Sequence, residues 1–306
     1  MIEAGMNALL CYLCGGRSAP AAQKQKMRRN TRMEPIRFAQ LCDTHVGMNN
    51  GEAVMMGPVF DKLPDTTASL SAALDTLAKQ NLDFVLFCGD LVHEGSAEDY
   101  RLFQKIVKEH LKDTPAVLCL GNHDRKGPFW EGCHGESSER PYYAQQTIRG
   151  LRILSLDSAC GGEVFGSFAP EEYEWLEEVL REPAPQGTIL VFHHPVVWDV
   201  KELAMEVDER FRALLRQSDV RAVFCGHTHE NDVRFLEGVP QVTGDSTAFG
   251  CSYTGSTMGF TDKASYNLCT LGENGLTVRN KLLNPVERTA FEINILELMR
   301  AVKRGE

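Results

Sequence analysis

Five short clusters of aspartate, asparagine and histidine recur along the sequence, and each directly follows an apolar, strand-like run. In open α/β sheets the carboxyl ends of the strands meet at one edge, where ligands bind. We therefore expect the five clusters to converge on a single site. Their side chains are Asp43, His45, Asp90, Asn122, His123, Asp124, His193, His194, His227 and His229.

These residue types indicate a metal centre. Imidazole favours Zn, Cu, Fe or Ni, whereas carboxylate favours harder ions such as Mn. The set holds too many donors for one tetrahedral ion and about enough for two. Two ions roughly 3.5–4 Å apart can clamp a phosphoryl group and generate a hydroxide nucleophile.

The spacing within the clusters supports this interpretation. In an extended segment, residues two apart point the same way, so Asp43 could share its direction with His45, and His227 with His229. Glycines at 89, 121 and 226 would let the backbone turn sharply where the strands end. Taken singly, each cluster could equally be turn chemistry or a packed histidine. Their repetition in order after five strands favours function.

The elements that would position these residues alternate between strands and helices as far as Gly226, which predicts an α/β fold with helices on the faces of a sheet. A capping box at Ser96 and Asp99 predicts the start of one helix. Beyond Gly226 we expect strands, then a last helix at about 286–302. The expected strands are 36–41, 83–87, 116–120, 142–147, 151–156, 188–192, 221–224, 233–236, 239–242, 265–271 and 275–282; the other helices are 67–80, 96–111, 170–180 and 208–216.

Composition excludes several classes of protein. The chain has 306 residues, a net charge of −10 and ordinary globular composition. No apolar run approaches the ~18–20 residues that span a bilayer, so no membrane association is expected. The acidic balance argues against a nucleic-acid polymer as partner.

The cysteines indicate the redox environment. Cys88, Cys119 and Cys225 lie in apolar runs, which predicts buried free thiols. Free thiols suggest a reducing compartment, with the cytoplasm as the default location.

The N-terminus differs from the rest of the chain. Residues 1–34 carry six basic against two acidic residues, and their short apolar run precedes the basic cluster, which is the reverse of a secretory signal. Cys11 and Cys14 form one CxxC without the second pair that a zinc site needs. We expect 1–34 to be a disordered extension and 35–306 to be one domain.

The ordered pattern D-x-H, GD, GNH[D/E], H and GHxH resembles the calcineurin-like metallophosphoesterase superfamily over about residues 36–230. Three segments look most like the class III cyclic-nucleotide phosphodiesterase branch and its glycerophosphodiesterase-like relatives. They are Gly89-Asp90-Leu91-x-x-x-Gly95, Gly121-Asn122-His123-Asp124 and His193-His194-Pro195. The protein Ser/Thr phosphatase branch usually carries an arginine shortly after its GD. None stands between Leu91 and Gly95, which counts against that branch.

The resemblance implies a four-layer α-β-β-α sandwich with a dinuclear site at the edge between its sheets. It implies one metal held by Asp43, His45 and His229, a second held by Asn122, His193 and His227, and Asp90 bridging both. His193 is preferred to His194 because the first histidine of the pair is the family's usual ligand. His123 would face the phosphate as an acid, and Asp124 would orient it. The cofactors would be two divalent ions: Mn, Fe or Zn.

The expected function is hydrolysis of a small phosphodiester by a metal-bound hydroxide, with 3′,5′-cyclic AMP as the first guess. The alternatives are a phosphomonoesterase, a glycerophospho- or phospholipid-headgroup diesterase on the same site, and a catalytically silent scaffold. A homodimer is a family expectation only. No motif assigns a role to Lys126–Glu139, where Trp130 could stack on a base or simply pack, or to Gly244–Gly259.

Overall fold

The computed structural model describes residues 34–47, 63–159, 164–255, 257–284 and 289–304. The predicted N-terminal extension with Cys11 and Cys14 lies outside this part of the chain, apart from Glu34. The described residues from Pro35 onward form one compact unit. Within the described ranges, no helix is both long enough and apolar enough to cross a bilayer.

Fourteen strands and six α-helices make up the described part of this unit. The strands are β1 (Ile36–Leu41), β2 (Phe84–Cys88), β3 (Ala116–Cys119), β4 (Ala144–Ile148), β5 (Leu151–Ser155), β6 (Thr188–Val191), β7 (Val220–Cys225), β8 (Asp232–Leu236), β9 (Val239–Thr243), β10 (Gly250–Thr254), β11 (Thr257–Thr261), β12 (Ala264–Gly272), β13 (Gly275–Asn284) and β14 (Thr289–Asn294). The helices are α1 (Thr66–Leu77), α2 (Ala97–Leu111), α3 (Lys126–Phe129), α4 (Pro170–Leu180), α5 (Glu209–Gln217) and α6 (Ile295–Arg304).

Two sheets dominate the fold. The first has the order β13-β12-β1-β2-β3 and the second β4-β5-β6-β7-β9-β8. β1, β2 and β3 run parallel to one another, as do β5, β6, β7 and β9. The parallel strands therefore end together, three in one sheet and four in the other.

The sheets pack face to face, and helices cover their outer faces. Phe38 of β1 stacks on Phe84 with ring centroids 4.7 Å apart and meets Phe224 of the second sheet edge-on at 5.3 Å. The neighbouring residues Ala39 and Leu41 instead pack with the helices α1 and α2. This alternation is the two-residue period of a strand buried on both faces. A third cluster packs α4 and α5 on the second sheet. The expected four-layer α-β-β-α sandwich is confirmed.

Several local predictions are also confirmed. The Asp99 carboxylate accepts a 2.8 Å hydrogen bond from the backbone N–H of Ser96, as in a capping box. β4 and β5 form the expected hairpin, with Arg149 and Gly150 both at positive φ in its turn. The thiols of β2, β3 and β7 are buried and free; they belong to Cys88, Cys119 and Cys225.

The prediction of one helix over about 286–302 is wrong in its first half. Thr289–Asn294 is the strand β14, which pairs antiparallel with β11, and the helix begins only at Ile295. Phe291 therefore belongs to a strand rather than to a helical stripe. Apolar and polar residues alternate over 291–294, which suits a strand. However, β10 and β11, the strands of the same sheet, lie in the Gly244–Gly259 stretch and just beyond it. The sequence pattern had assigned no element to that stretch.

Candidate metal centre

The seven predicted ligand side chains lie together where the carboxyl ends of the two sheets meet. Four follow strands of the first sheet and three follow β6 and β7 of the second. Five of the seven are buried, and the other two are partly buried. The set is Asp43, His45, Asp90, Asn122, His193, His227 and His229.

A first group is formed by Asp43, His45, Asp90 and His229, each of which offers a ligand atom within 4.8 Å of the others. His229 Nε2 lies 3.3 Å from Asp43 Oδ1 and 3.3 Å from His45 Nε2. Asp90 Oδ2 lies 3.7 Å from His45 Nε2. Three of these residues come from the first sheet and His229 comes from the second.

A second group adjoins the first. Asn122 Oδ1 lies 3.1 Å from His193 Nε2 and 3.0 Å from His227 Nδ1. Asp90 Oδ2 also reaches His193 Nε2, at 3.2 Å. The Asp90 carboxylate therefore stands between the two groups.

Hydrogen bonds behind the site fix the tautomers of two histidines. His193 Nδ1 donates to the carbonyl of Cys88 at 2.8 Å, and His229 Nδ1 donates to the carbonyl of Phe249 at 2.8 Å. A carbonyl can only accept, so each Nδ1 carries the proton and each neutral ring directs the lone pair of Nε2 into the site. Outer hydrogen bonds of this kind orient the imidazole ligands of metals.

The buried carboxylates of the site stabilise positive charge there. In the metal-free protein a proton competes for the Nε2 lone pair of His193: burial opposes charging of the ring, yet Asp90, by charge and hydrogen bond, and Asp43 raise the pKa of His193 to about 10. Burial alone would raise the pKa of Asp90, but His193 and His123 hold it well below the usual range. Carboxylate oxygens, an amide oxygen and imidazole lone pairs that face one another at about 3 Å are poorly satisfied without a cation. The residues present fit two divalent ions.

The backbone that carries these side chains is not extended. The prediction that residues two apart share a direction because they lie in an extended segment is therefore wrong. Asp43, His45, Asp90, His227 and His229 all have positive φ, between 42° and 74°. Such left-handed conformations in residues other than glycine cost about 1–3 kcal/mol each and cluster at functional sites. Here they are held by bonds between strand ends: the N–H of Asp43 donates to Gly89 and that of His45 to Asp90.

The three glycines serve two different purposes. Gly89 has φ +80°, the turn that was expected. Gly121 and Gly226 lack a positive φ and are needed for close approach. A Cβ at Gly121 would lie 2.2 Å from Asp90 Oδ1, and a Cβ at Gly226 would lie 2.6 Å from Asp43 Oδ2.

The contacts of His123 differ from those predicted. Its Nδ1 lies 3.3 Å from Glu94 Oε1, its ring stacks on His93, and its backbone N–H donates to Asp90 Oδ1 at 2.8 Å. The expectation that Asp124 orients His123 is wrong. The Asp124 carboxylate is occupied instead by the backbone N–H groups of Leu91, Val92 and Gly121 and by the hydroxyl of Tyr100. It braces the loops that carry Asp90 and Asn122.

His194 lies close enough to His193 and His227 to join a ligand group. However, the Ser158 hydroxyl oxygen accepts from the backbone N–H groups of both His193 and His194, so its own hydrogen is directed at His194 Nδ1, 2.9 Å away. The proton of the neutral ring then sits on Nε2, which has no lone pair to offer a metal. This favours His193 as the ligand.

Two regions that no motif assigned have clear structural roles. Phe249 packs its ring against His229 at 4.3 Å and His45 at 5.4 Å, and Ser246 Oγ donates to the carbonyl of Asp43. The density of serine, threonine and glycine in that stretch was the only sequence signal. Trp130 is 7% exposed, donates to the carbonyl of Arg140 and lies under the Arg140 guanidinium, so it packs and does not stack on a base.

Comparisons with known proteins show that the chain is similar to phosphoesterases. The family model for calcineurin-like phosphoesterase matches residues 36–231. A probable cyclic nucleotide phosphodiesterase of Rhodococcus erythropolis is 31% identical over 221 residues, 69% of this chain and 71% of that protein. A cAMP/cGMP dual specificity phosphodiesterase of Mycobacterium tuberculosis is 32% identical over 68% of this chain and 66% of its own length. A dimetal phosphatase from Danio rerio shares the fold at TM-score 0.52 and 14% identity, over 82% of this chain and 99% of that one.

Proposed function

The chain belongs to the calcineurin-like phosphoesterase family, and from that premise we propose that it is a metal-dependent phosphodiesterase acting on a small diester, with 3′,5′-cyclic AMP as the leading substrate. The observation that carries the proposal is the position of Asp90 between two adjoining groups of ligand atoms. The names of its relatives point to cyclic nucleotides.

The two groups would each hold one divalent ion of Mn, Fe or Zn. Asp43, His45 and His229 would bind the first, Asn122, His193 and His227 the second, and Asp90 both. When bound, such a pair activates water for attack on phosphorus and clamps the phosphoryl oxygens. The bound ions would also attract a phosphate anion to a protein whose net charge is −10.

The residues of the chain supply orientation and a proton. Asn122 contacts both His193 and His227 and would keep the second group aligned. The side chain of His123 is 32% exposed, and its ring lies 5.2 Å from the ring of His45. Burial disfavours its charged form, but Asp90 and Glu94 raise the pKa of His123 above its usual range. It is therefore suited to protonate a leaving alkoxide.

The test starts from metal-free protein with Mn²⁺ added back. We expect turnover of bis(4-nitrophenyl) phosphate and 3′,5′-cyclic AMP that depends on the ion and falls at least about 10²-fold in Asn122→Ala. Asn81→Ala, at an exposed position away from the site, is the matched control. Turnover of 4-nitrophenyl phosphate alone would make the protein a monoesterase. Preference for a glycerophosphodiester over 3′,5′-cyclic AMP would make the glycerophosphodiester the substrate. Folded protein that binds ions but turns over none of these would favour the scaffold.

Replacing His123 by alanine should separate substrates by their leaving groups. Turnover of a diester with an alkoxide leaving group should fall about 10²–10⁴-fold, because its departure needs a proton. Bis(4-nitrophenyl) phosphate should be much less affected, since nitrophenolate leaves as the anion. His110→Ala, in α2 with its Nδ1 near the carbonyl of Ile106, is the control. An equal loss on both substrates would remove His123 from proton transfer.

A further inference from the structure

A third cluster of metal-ligand side chains lies beside the two groups described above. One ligand atom each from His93, Glu94 and His123 lies within 4.8 Å of the others. We propose that these three residues form a third cation site, which binds Zn²⁺ and inhibits the enzyme. The site itself is independent of the proposed function, whereas the inhibition rests on it.

The donor set is the one that zinc takes when it keeps an open position. Two imidazoles and one glutamate, with water in the fourth place, form a common tetrahedral arrangement for this ion. Mn²⁺ binds such nitrogen-containing sites more weakly than Zn²⁺. An enzyme activated by Mn²⁺ could therefore still acquire zinc at the third cluster.

The three residues are already held in place by the main chain. The N–H of Glu94 donates to the carbonyl of His123 at 3.0 Å, and the N–H of His93 donates to the carbonyl of Val46 at 3.1 Å. Glu94 has φ 50°, which directs its side chain back toward His123 Nδ1, 3.3 Å from Oε1. The rings of His93 and His123 stack at 4.6 Å and an angle of 26°. Little rearrangement is needed to close three ligands on one ion.

Exposure distinguishes this cluster from the dinuclear centre. The side chains of Glu94 and His123 are 52% and 32% exposed, whereas those of Asp43 and His193 are fully buried. An ion at the third cluster would exchange with solvent and fill after the buried pair. The cluster is also connected to the centre, since His93 Nδ1 lies 3.1 Å from His45 Nδ1.

Zinc bound at the third cluster would remove the general acid of the proposed reaction. His123 would become a zinc ligand and could not donate a proton to the leaving group. We expect Zn²⁺ in excess of two equivalents to inhibit Mn²⁺-loaded enzyme at least about tenfold on an alkoxide diester, a lower bound for the loss of a general acid. Bis(4-nitrophenyl) phosphate should be inhibited less.

The number of zinc ions bound per chain tests the third site directly, since this measurement does not depend on activity. Protein is dialysed against rising Zn²⁺, and bound zinc per folded chain is measured by mass spectrometry. Wild type should bind a third ion after the first two, and Glu94→Gln, which keeps the size of the side chain, should weaken that third step at least about tenfold. Glu98→Gln, at a 77% exposed position nearby, should leave it unchanged, and His93→Asn should repeat the loss.

Wild type that saturates at two ions, or Glu94→Gln that binds three as tightly as wild type, would overturn the third site while leaving the dinuclear function intact. The experiment can also support the third site while refuting the proposed function. A third ion that depends on Glu94, in protein that hydrolyses no phosphate ester, would support the site and refute the function.

Discussion

Asp90→Asn should lower phosphodiester turnover by about 10³-fold or more, which corresponds to roughly 4 kcal/mol of lost transition-state stabilisation. The Asp90 carboxylate lies between both ligand groups, within 3.7 Å of His45 Nε2 and 3.2 Å of His193 Nε2. An amide of the same shape keeps one acceptor oxygen and loses the negative charge. The substitution should therefore weaken both metals at once.

Two measurements test this together. Steady-state turnover of bis(4-nitrophenyl) phosphate gives the rate, and metal analysis after dialysis should show fewer than two ions per chain. Asp75→Asn, at a 69% exposed position on α1, makes the same chemical change away from the site and should preserve both. Full metal content with normal turnover in Asp90→Asn would contradict the assignment of Asp90 as the shared ligand.

Gly121→Ala should have a comparably large effect although it adds only a methyl group. The new Cβ would lie 2.2 Å from Asp90 Oδ1 and 2.4 Å from the Asp90 backbone nitrogen. Neither atom can yield without moving the carboxylate that both ligand groups share. We expect a stability loss of about 1–3 kcal/mol from the overpacking, and turnover should fall about 10²-fold because a misplacement of about 1 Å is enough for that.

Thermal unfolding of the metal-free protein and turnover of the metal-loaded protein measure these two effects separately. Gly272→Ala is the matched control, because a Cβ there meets nothing within 4 Å; it should change stability by no more than about 0.5 kcal/mol. Gly226→Ala, whose Cβ would lie 2.6 Å from Asp43 Oδ2, should repeat the loss. Turnover in Gly121→Ala equal to that of the control would show that the loop can shift freely.

The positions of the ligand residues were predictable because their signal is local. An apolar run followed by aspartate or histidine places the side chain at a strand's carboxyl end, and parallel strands bring those ends together. The left-handed backbone at Asp43 and His45 was not predictable from the sequence. It depends on hydrogen bonds to Gly89 and Asp90, residues more than forty positions away, which only the assembled sheet brings near.

The errors share this origin. Asp124 follows His123 directly and seemed the natural partner for it, but Glu94 reaches the imidazole from the neighbouring strand end. The strand β14 carries an alternating pattern, yet it becomes a strand only because β11 offers it an edge. Ser246 and Phe249 support the site through two hydrogen bonds to carbonyl groups and two ring contacts, which no sequence spacing could reveal.

Each ligand group draws on both sheets of the sandwich: His229 joins three residues of the first sheet, and Asn122 joins two histidines of the second. Ions bound there would act as cross-links between two layers that otherwise meet through apolar side chains and a few hydrogen bonds, such as those from the Gln40 amide to the carbonyls of Cys225 and Val242. The sheets could then not separate without releasing the ions. Free metal in thousandfold excess over its dissociation constant would add about 4 kcal/mol per ion to the unfolding free energy. Metal supply would thus govern the stability of the folded chain as well as its chemistry.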